Sequence, residues 1–289
     1  RQQQQQQQNQ KQQHQQIPRT QMIVEEEKKR KNSIIRSGLP AASYKDKIID
    51  AITTNRVVVL CGATGCGKST QVPQFLLEHQ EEIEENEEKK ILRSNEDEGV
   101  IAAQSELESE SESLSSRRIN SRCRRRRPYI VVTQPRKVAA ISLANRVSEE
   151  RGCPLPGKVH SEIGYMVRSD RRVEERSCRI IYLTVGILLR MLVQPSSPPP
   201  PPPLQDNENN NDDDNNSSPM PPPLSIDTIS HLIIDEVHER DVNTDFTLTL
   251  LKGLMGTPRL SHLRLILMSA TASSELFVRY FTTTTTSSS

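Results

Sequence analysis

The run RVVVLCGATGCGKSTQ, residues 56–71, constrains this chain more than any other stretch. Val57 to Leu60 form a short, mostly β-branched and continuously apolar run, the pattern of a parallel strand buried on both faces. The run passes into Gly62, four further residues, and then Gly67, Lys68 and Ser69. Strand, glycine-bracketed loop and helix in that order make a phosphate-binding loop. The glycines let backbone N–H groups wrap an anion, and a helix beginning near Lys68 turns its positive end toward it. Lys68 can then reach the β and γ phosphates, and Ser69 offers a hydroxyl to Mg2+. The candidate nucleotide-binding residues are Gly62, Ala63, Thr64, Gly65, Cys66, Gly67, Lys68, Ser69 and Thr70. An incidental lysine in a glycine-rich turn would leave the spacing and both flanking elements unexplained.

Such a loop needs a carboxylate on another strand to hold its metal, and HLIIDEVHER, beginning at His231, supplies one. Two adjacent carboxylates at the mouth of a strand each require solvation or a partner. Asp235 is placed to orient the Mg2+ shell, and Glu236 to polarise the water that attacks the γ phosphate, so Ser69, Asp235 and Glu236 form the candidate metal set. Alone, DEVHER would be weak evidence and would read more readily as a charged helix start; the upstream loop favours the metal.

Three further segments follow the same logic. In PYIVVTQPRKVAAISLANRV, Ile130 to Val132 make a strand, Pro135 breaks it, and Arg136 and Lys137 fall at the exposed carboxyl end of the sheet, where they could hold a nucleic-acid phosphate or serve as ordinary solvated charges. RIIYLTVGILLRML gives a strand over Ile180 to Leu183, then Thr184, Gly186 and a short apolar helix. LRLILMSAT gives a strand over Leu263 to Met268 ending in Ser269, Ala270 and Thr271. Hydroxyls there can bond to the carboxylate loop, or Ser269 can simply cap a helix. Upstream, Ile48, Ile49 and Ile52 predict a helix over 44–53 that ends at Asn55.

Composition decides how much of the 289 residues can fold. Hydrophobic residues make up 33% and aromatic residues 3%, and both values are diluted by tracts unable to build a core. Residues 1–16 are mostly Gln; residues 80–127 pass from EEIEENEEKK to SRCRRRRP; residues 194–223 hold a proline run and NENNNDDDNNSSP. The expected organisation is a Gln-rich, charged tail over 1–37, a domain over 38–281 interrupted by inserts at 80–127 and 194–223, and a Thr/Ser tail over 282–289. Setting the low-complexity tracts aside leaves roughly 190 residues, enough for one α/β domain. The net charge of +1 neither favours nor excludes nucleic acid, and the CRRRR run is either a solvated flank, an anion-binding patch or a localisation signal. Five scattered cysteines without C-x-x-C spacing argue for a reducing compartment and against a zinc site. No stretch approaches 18 apolar residues and the amino-terminal region is Gln-rich, so neither a membrane span nor a signal peptide is visible. Either a nuclear or a cytoplasmic address fits.

GATGCGKST, TQPRK, TVGILLR, DEVHER and SAT together resemble, in order and setting, the first RecA-like domain of the DEAH-box (DEAH/RHA) RNA helicases of superfamily 2. EIGYMVRSDRRVEERSCRIIYLT resembles the stretch between that family's second and third motifs, and the finer likeness is to the maleless and YTH-domain-containing subgroup. The resemblance implies a RecA-like P-loop α/β fold, a mostly parallel sheet with helices on both faces, that uses ATP and Mg2+ to move along single-stranded RNA or unwind it. It implies Lys68, Asp235, Glu236 and His238 as catalytic residues, with Glu236 the general base. Arg136, Lys137 and Thr184 would contact RNA, while Arg240, Ser269 and Thr271 would couple the two activities. Ala63 stands where the family commonly has glutamate, Lys137 where it often has arginine, Val237 where the name-giving motif has alanine, and Ala272 where leucine usually follows SAT. None of these removes a phosphate or metal contact, so they bear on subgroup more than on activity. The family also carries a second RecA-like domain with an arginine finger, required for full activity. The Thr/Ser ending gives the expectation that this chain is a fragment without it. The competing function is a nucleotide- and RNA-binding module with no helicase activity of its own. A kinase or transporter ATPase would leave TQPRK, DEVHER and SAT unexplained, and RNA against DNA is not decided by phosphate contacts.

Overall fold

A computed structural model of the protein describes residues 31–101, 128–193, 224–271 and 274–282. Seven strands form one sheet in the order β1-β7-β6-β2-β5-β3-β4. They are β1 (Val57–Cys61), β2 (Tyr129–Gln134), β3 (Ile163–Val167), β4 (Asp170–Arg172), β5 (Ile180–Thr184), β6 (Ile229–Ile234) and β7 (Arg264–Ser269). All pairings are parallel except that of β4 with β3. Among the described residues the helices around it include α1 (Lys45–Thr54), α2 (Lys68–Ile101), α3 (Lys137–Arg151), α4 (Val185–Val193), α5 (Val242–Met255) and α6 (Ser274–Thr282).

Side chains alternate across each strand, so apolar runs buried on both faces feed two cores. Val131, Ile181, Leu183, Leu232, Ile234, Leu265 and Leu267 pack against α4, α5 and α6. Their neighbours Ile130, Val132, Ile180, Tyr182, Ile233, Ile266 and Met268 face α1, α2 and α3. Helices on both faces of a mostly parallel sheet bear out the expected RecA-like α/β class. The strand predicted at Ile130 to Val132 extends through Gln134, and the one predicted to stop at Met268 includes Ser269, which pairs with Cys61. Ser269 therefore closes a strand instead of capping a helix. Among the described residues no helix is long and apolar enough to cross a membrane.

Two boundaries differ from expectation. The low-complexity insert expected from residue 80 begins inside α2, which continues to Ile101. Arginines from distant positions, Arg179 buried and Arg151 nearly so, hold this stretch to the domain. Arg179 Nη2 donates to Gln80 Oε1 at 3.2 Å and Glu84 Oε1 at 3.0 Å, and Arg151 Nη2 donates to Glu81 Oε1 at 3.1 Å. Likewise residues 31–37, expected as tail, are helical. Arg36 there donates from Nε to Gln71 Oε1 at 2.9 Å and from Nη2 to Glu78 Oε1 at 2.7 Å. The Gln tract, the second insert and Ala272 lie outside the described residues.

Candidate functional site

The phosphate loop leaves β1 at the carboxyl edge of the sheet. Gly65 and Gly67 have φ of 77° and 98°, a region L side chains rarely adopt. At Gly67 the space is closed as well: a Cβ would lie 3.1 Å from Leu39 Cδ1 and 3.2 Å from Gln71 Cγ. Lys68 curls back over the loop, its Nζ donating to the carbonyl of Gly62 and, at 3.0 Å, to that of Ala63. Cys66 Sγ lies 3.6 Å from the same ammonium. Thr70 Oγ1 donates to Gly67 O at 3.3 Å, while Ala63 and Thr64 are exposed. The backbone N–H of Gly62 donates to Ser269 O at 3.1 Å, joining the loop to the end of β7.

β7 separates β1 from β6, so the SAT segment stands between the phosphate loop and DEVHER. Asp235 follows β6 and is only 2% exposed. Its Oδ1 accepts the N–H of Glu236 at 2.9 Å and its Oδ2 accepts Gln134 Nε2 at 2.7 Å. Among the described residues no lysine, arginine or histidine forms an ion pair with it. A buried carboxylate met by neutral donors alone has no counter-charge beside it, a place that a cation would fill. Hard oxygen donors from Asp235, Glu236 and the Ser69 hydroxyl suit Mg2+, which keeps much of its water and takes one or two carboxylates from a protein.

The backbone after Asp235 is under local strain. Glu236 and Arg240 have φ of 53° and 51° and bracket the 3-10 turn Val237–Glu239. Val237 is fully buried and anchors that turn in the core under α5, leaving Glu236 and His238 partly exposed. Burial and the neighbouring Asp235 charge raise the Glu236 carboxyl above the ordinary carboxylate range, against the opposing pull of His238 and Lys68. His238 Nδ1 lies 3.3 Å from Glu236 Oε2 and 3.3 Å from the N–H of Ala270. Neutral Nδ1 accepts from Ala270; a protonated one would instead donate to Glu236. The Ser269 and Thr271 hydroxyls bond with each other at 3.3 Å, so the link from SAT to the carboxylate loop runs through the Ala270 backbone and not through those hydroxyls.

Arg136 and Lys137 are exposed where β2 passes into α3, and Thr184 ends β5 as the register partner of Gln134. Arg136 Nη2 lies 3.4 Å from Glu239 Oε1, which brings this group to the rim of DEVHER. Arg240, expected to couple motifs, forks onto Asp245 of α5 at 2.8 and 2.9 Å, with Phe277 of α6 6.0 Å away. Sequence reasoning missed Gln134 as the donor that holds Asp235. Its place inside TQPRK was visible, but its target emerges only when β2 pairs with β6.

The DEAD/DEAH box helicase profile matches residues 42–277. The chain belongs to the DEAD/DEAH box helicase family. It is 37% identical over 248 residues to the human ATP-dependent RNA helicase DHX29, covering 86% of this chain and 13% of that protein. Against the Gallus gallus ATP-dependent RNA helicase DHX30 it is 35% identical over 243 residues, with 84% and 14% covered. The Arabidopsis thaliana DExH-box ATP-dependent RNA helicase DExH2 is 35% identical over 246 residues, with 85% and 11% covered. The chain thus spans about an eighth of the length of these curated relatives.

Proposed function

We propose that this helicase-family domain binds ATP with Mg2+, hydrolyses it, and in the whole protein drives movement along RNA or its unwinding. The observation that carries the reading is the buried Asp235, clamped by Gln134 and, among the described residues, in no ion pair with a basic side chain, beside the lysine-bearing phosphate loop. When bound, Mg2+ supplies charge neutralisation for the β and γ phosphates. In this reading Ser69 and Asp235 hold it, Lys68 leaves the Gly62 and Ala63 carbonyls for the phosphates, and the loop N–H groups orient them.

Glu236 is the general base. A carboxylate raised toward neutral pH accepts a proton from water more readily than an ordinary one. His238 sits where protonation would trade its bond from Ala270 for one to Glu236, giving SAT a path to the base. Arg136, Lys137 and Thr184 would grip single-stranded RNA through its phosphates, contacts that position without reading sequence. A second RecA-like domain would supply the arginine that completes the site. Such a clamp can contribute about 10³ to 10⁵ in rate, so this domain alone should turn over slowly.

The test is ATP hydrolysis with and without single-stranded RNA, on the chain and on Glu236→Gln. Slow hydrolysis abolished by the substitution, with Lys68-dependent ATP binding retained, supports the reading. Wild-type protein with no Lys68-dependent ATP binding would overturn it.

A further inference from the structure

Helix α2 contains Pro73, in its second turn. Proline has no backbone N–H, so the carbonyl four residues earlier loses its helical donor, and the ring pushes that carbonyl off the helix. The residue affected is Ser69, whose hydroxyl would help hold the metal in the proposed site. Elsewhere in the turn the pattern is intact, with the Gln71 N–H bonding to Gly67 O at 2.7 Å. A buried carbonyl without a partner is unfavourable, and one in the first turn of a phosphate-binding helix would loosen the group that must be held most firmly.

The missing donor comes from the sheet. Tyr182 Oη donates to Ser69 O at 3.0 Å. Tyr182 is fully buried between β5 and α2, and its strand neighbours Ile180, Ile181 and Leu183 are apolar. Phenylalanine would fill the same space, so the hydroxyl is there for its hydrogen bond. Burial, with the charges of Asp235 and Glu150 near it, raises the phenol well above its ordinary value, so it remains a donor.

We propose that Tyr182 is a positioning residue of the nucleotide site: its hydroxyl replaces the N–H absent at Pro73 and fixes Ser69 and Lys68 for a metal-bound triphosphate. This rests on the nucleotide reading above. It also gives β5 two tasks, because Thr184, two residues further on the same strand face, is the candidate RNA contact.

The test measures binding of a fluorescent ATP analogue to the full chain, with Mg2+ and with EDTA, alongside thermal melting. The variants are Tyr182→Phe, Pro73→Ala, both together, and Lys68→Ala as control. Tyr182→Phe should weaken Mg2+-dependent binding about tenfold, the effect of one buried hydrogen bond, and weaken binding in EDTA less. Pro73→Ala alone should stay near wild type. In the double variant the backbone N–H restored at position 73 can reach Ser69 O, so affinity should return to within about threefold of wild type. Wild-type affinity in Tyr182→Phe, or a double variant no better than Tyr182→Phe, would overturn the proposal. So would a melting loss repaired by Pro73→Ala with affinity unchanged throughout, which is a purely structural role. Absence of Lys68-dependent binding in the wild type defeats the nucleotide reading itself, and this inference with it.

Discussion

Strand β6 carries His231 near its amino end and Asp235 with Glu236 just past its carboxyl end, and the two ends use perturbed ionisable groups differently. Burial, with help from Arg264 and His79, lowers His231 to about 4. Its Nδ1 has Ser230 Oγ at 2.9 Å and Gln80 Nε2 at 3.3 Å, so the neutral ring is satisfied where it stands. At the other end burial, and after it the adjacent Asp235, raise Glu236, while the donors around Asp235 are neutral. A shifted proton affinity therefore marks a site only where the surrounding charge is left unbalanced. The amino end is closed by the protein itself; the carboxyl end keeps negative charge for a cation to balance.

The largest expected effects lie at the open end. Lys68→Ala should weaken ATP binding on the order of 100-fold, read by direct titration. Glu236→Gln should slow single-turnover hydrolysis about 10³-fold while ATP affinity stays within a few-fold. Because the base must be deprotonated and its value is raised, the wild-type rate should begin to fall, as pH is lowered, above the ordinary carboxylate range. A pH–rate profile with its acid limb at an unperturbed glutamate value would remove Glu236 from that role. Gln134→Leu should follow, weakening Mg2+-dependent binding about tenfold through the lost bond to Asp235.

The closed end should respond in stability alone. His231 titrates lower in the folded chain than its unfolded value of 6.5, so the unfolded chain takes the proton first. The stability this contributes is present above 6.5 and is lost as pH falls toward 4. Urea unfolding at pH 7.5 and pH 5 should differ by about 2 kcal/mol from this group, and His231→Gln should shed that difference without altering ATP affinity. The smallest effect belongs to exposed Arg136. Arg136→Ala should lower single-stranded RNA affinity a few-fold and reduce the salt slope by about one, with nucleotide binding unchanged.

What the sequence disclosed and what it concealed divide by range. The phosphate loop, the buried strands and DEVHER are local patterns whose chemistry lies within about ten residues, and each stands where its spacing predicts. The partner of Asp235 was concealed because Gln134 lies 101 positions earlier and meets it only through strand pairing. Pro73 and Tyr182 each look incidental until the helix is laid on the sheet. The stretch EEIEENEEKK has charged residues on all sides and no apolar stripe, so it resembles solvated chain. Arg179 and Arg151, far along the sequence, convert its first turn into part of the domain. The helix over residues 31–37 was concealed for the same reason, since Arg36 meets Glu78 42 positions away.

The continuity of α2 has a mechanical consequence. At about 1.5 Å per residue its 34 residues make a boom about 50 Å long, with Lys68 at its root and Ile101 at its tip. One continuous helix therefore ties Lys68 to a point far from it along a single axis, so a push or a pull at one end is felt at the other without a hinge between them.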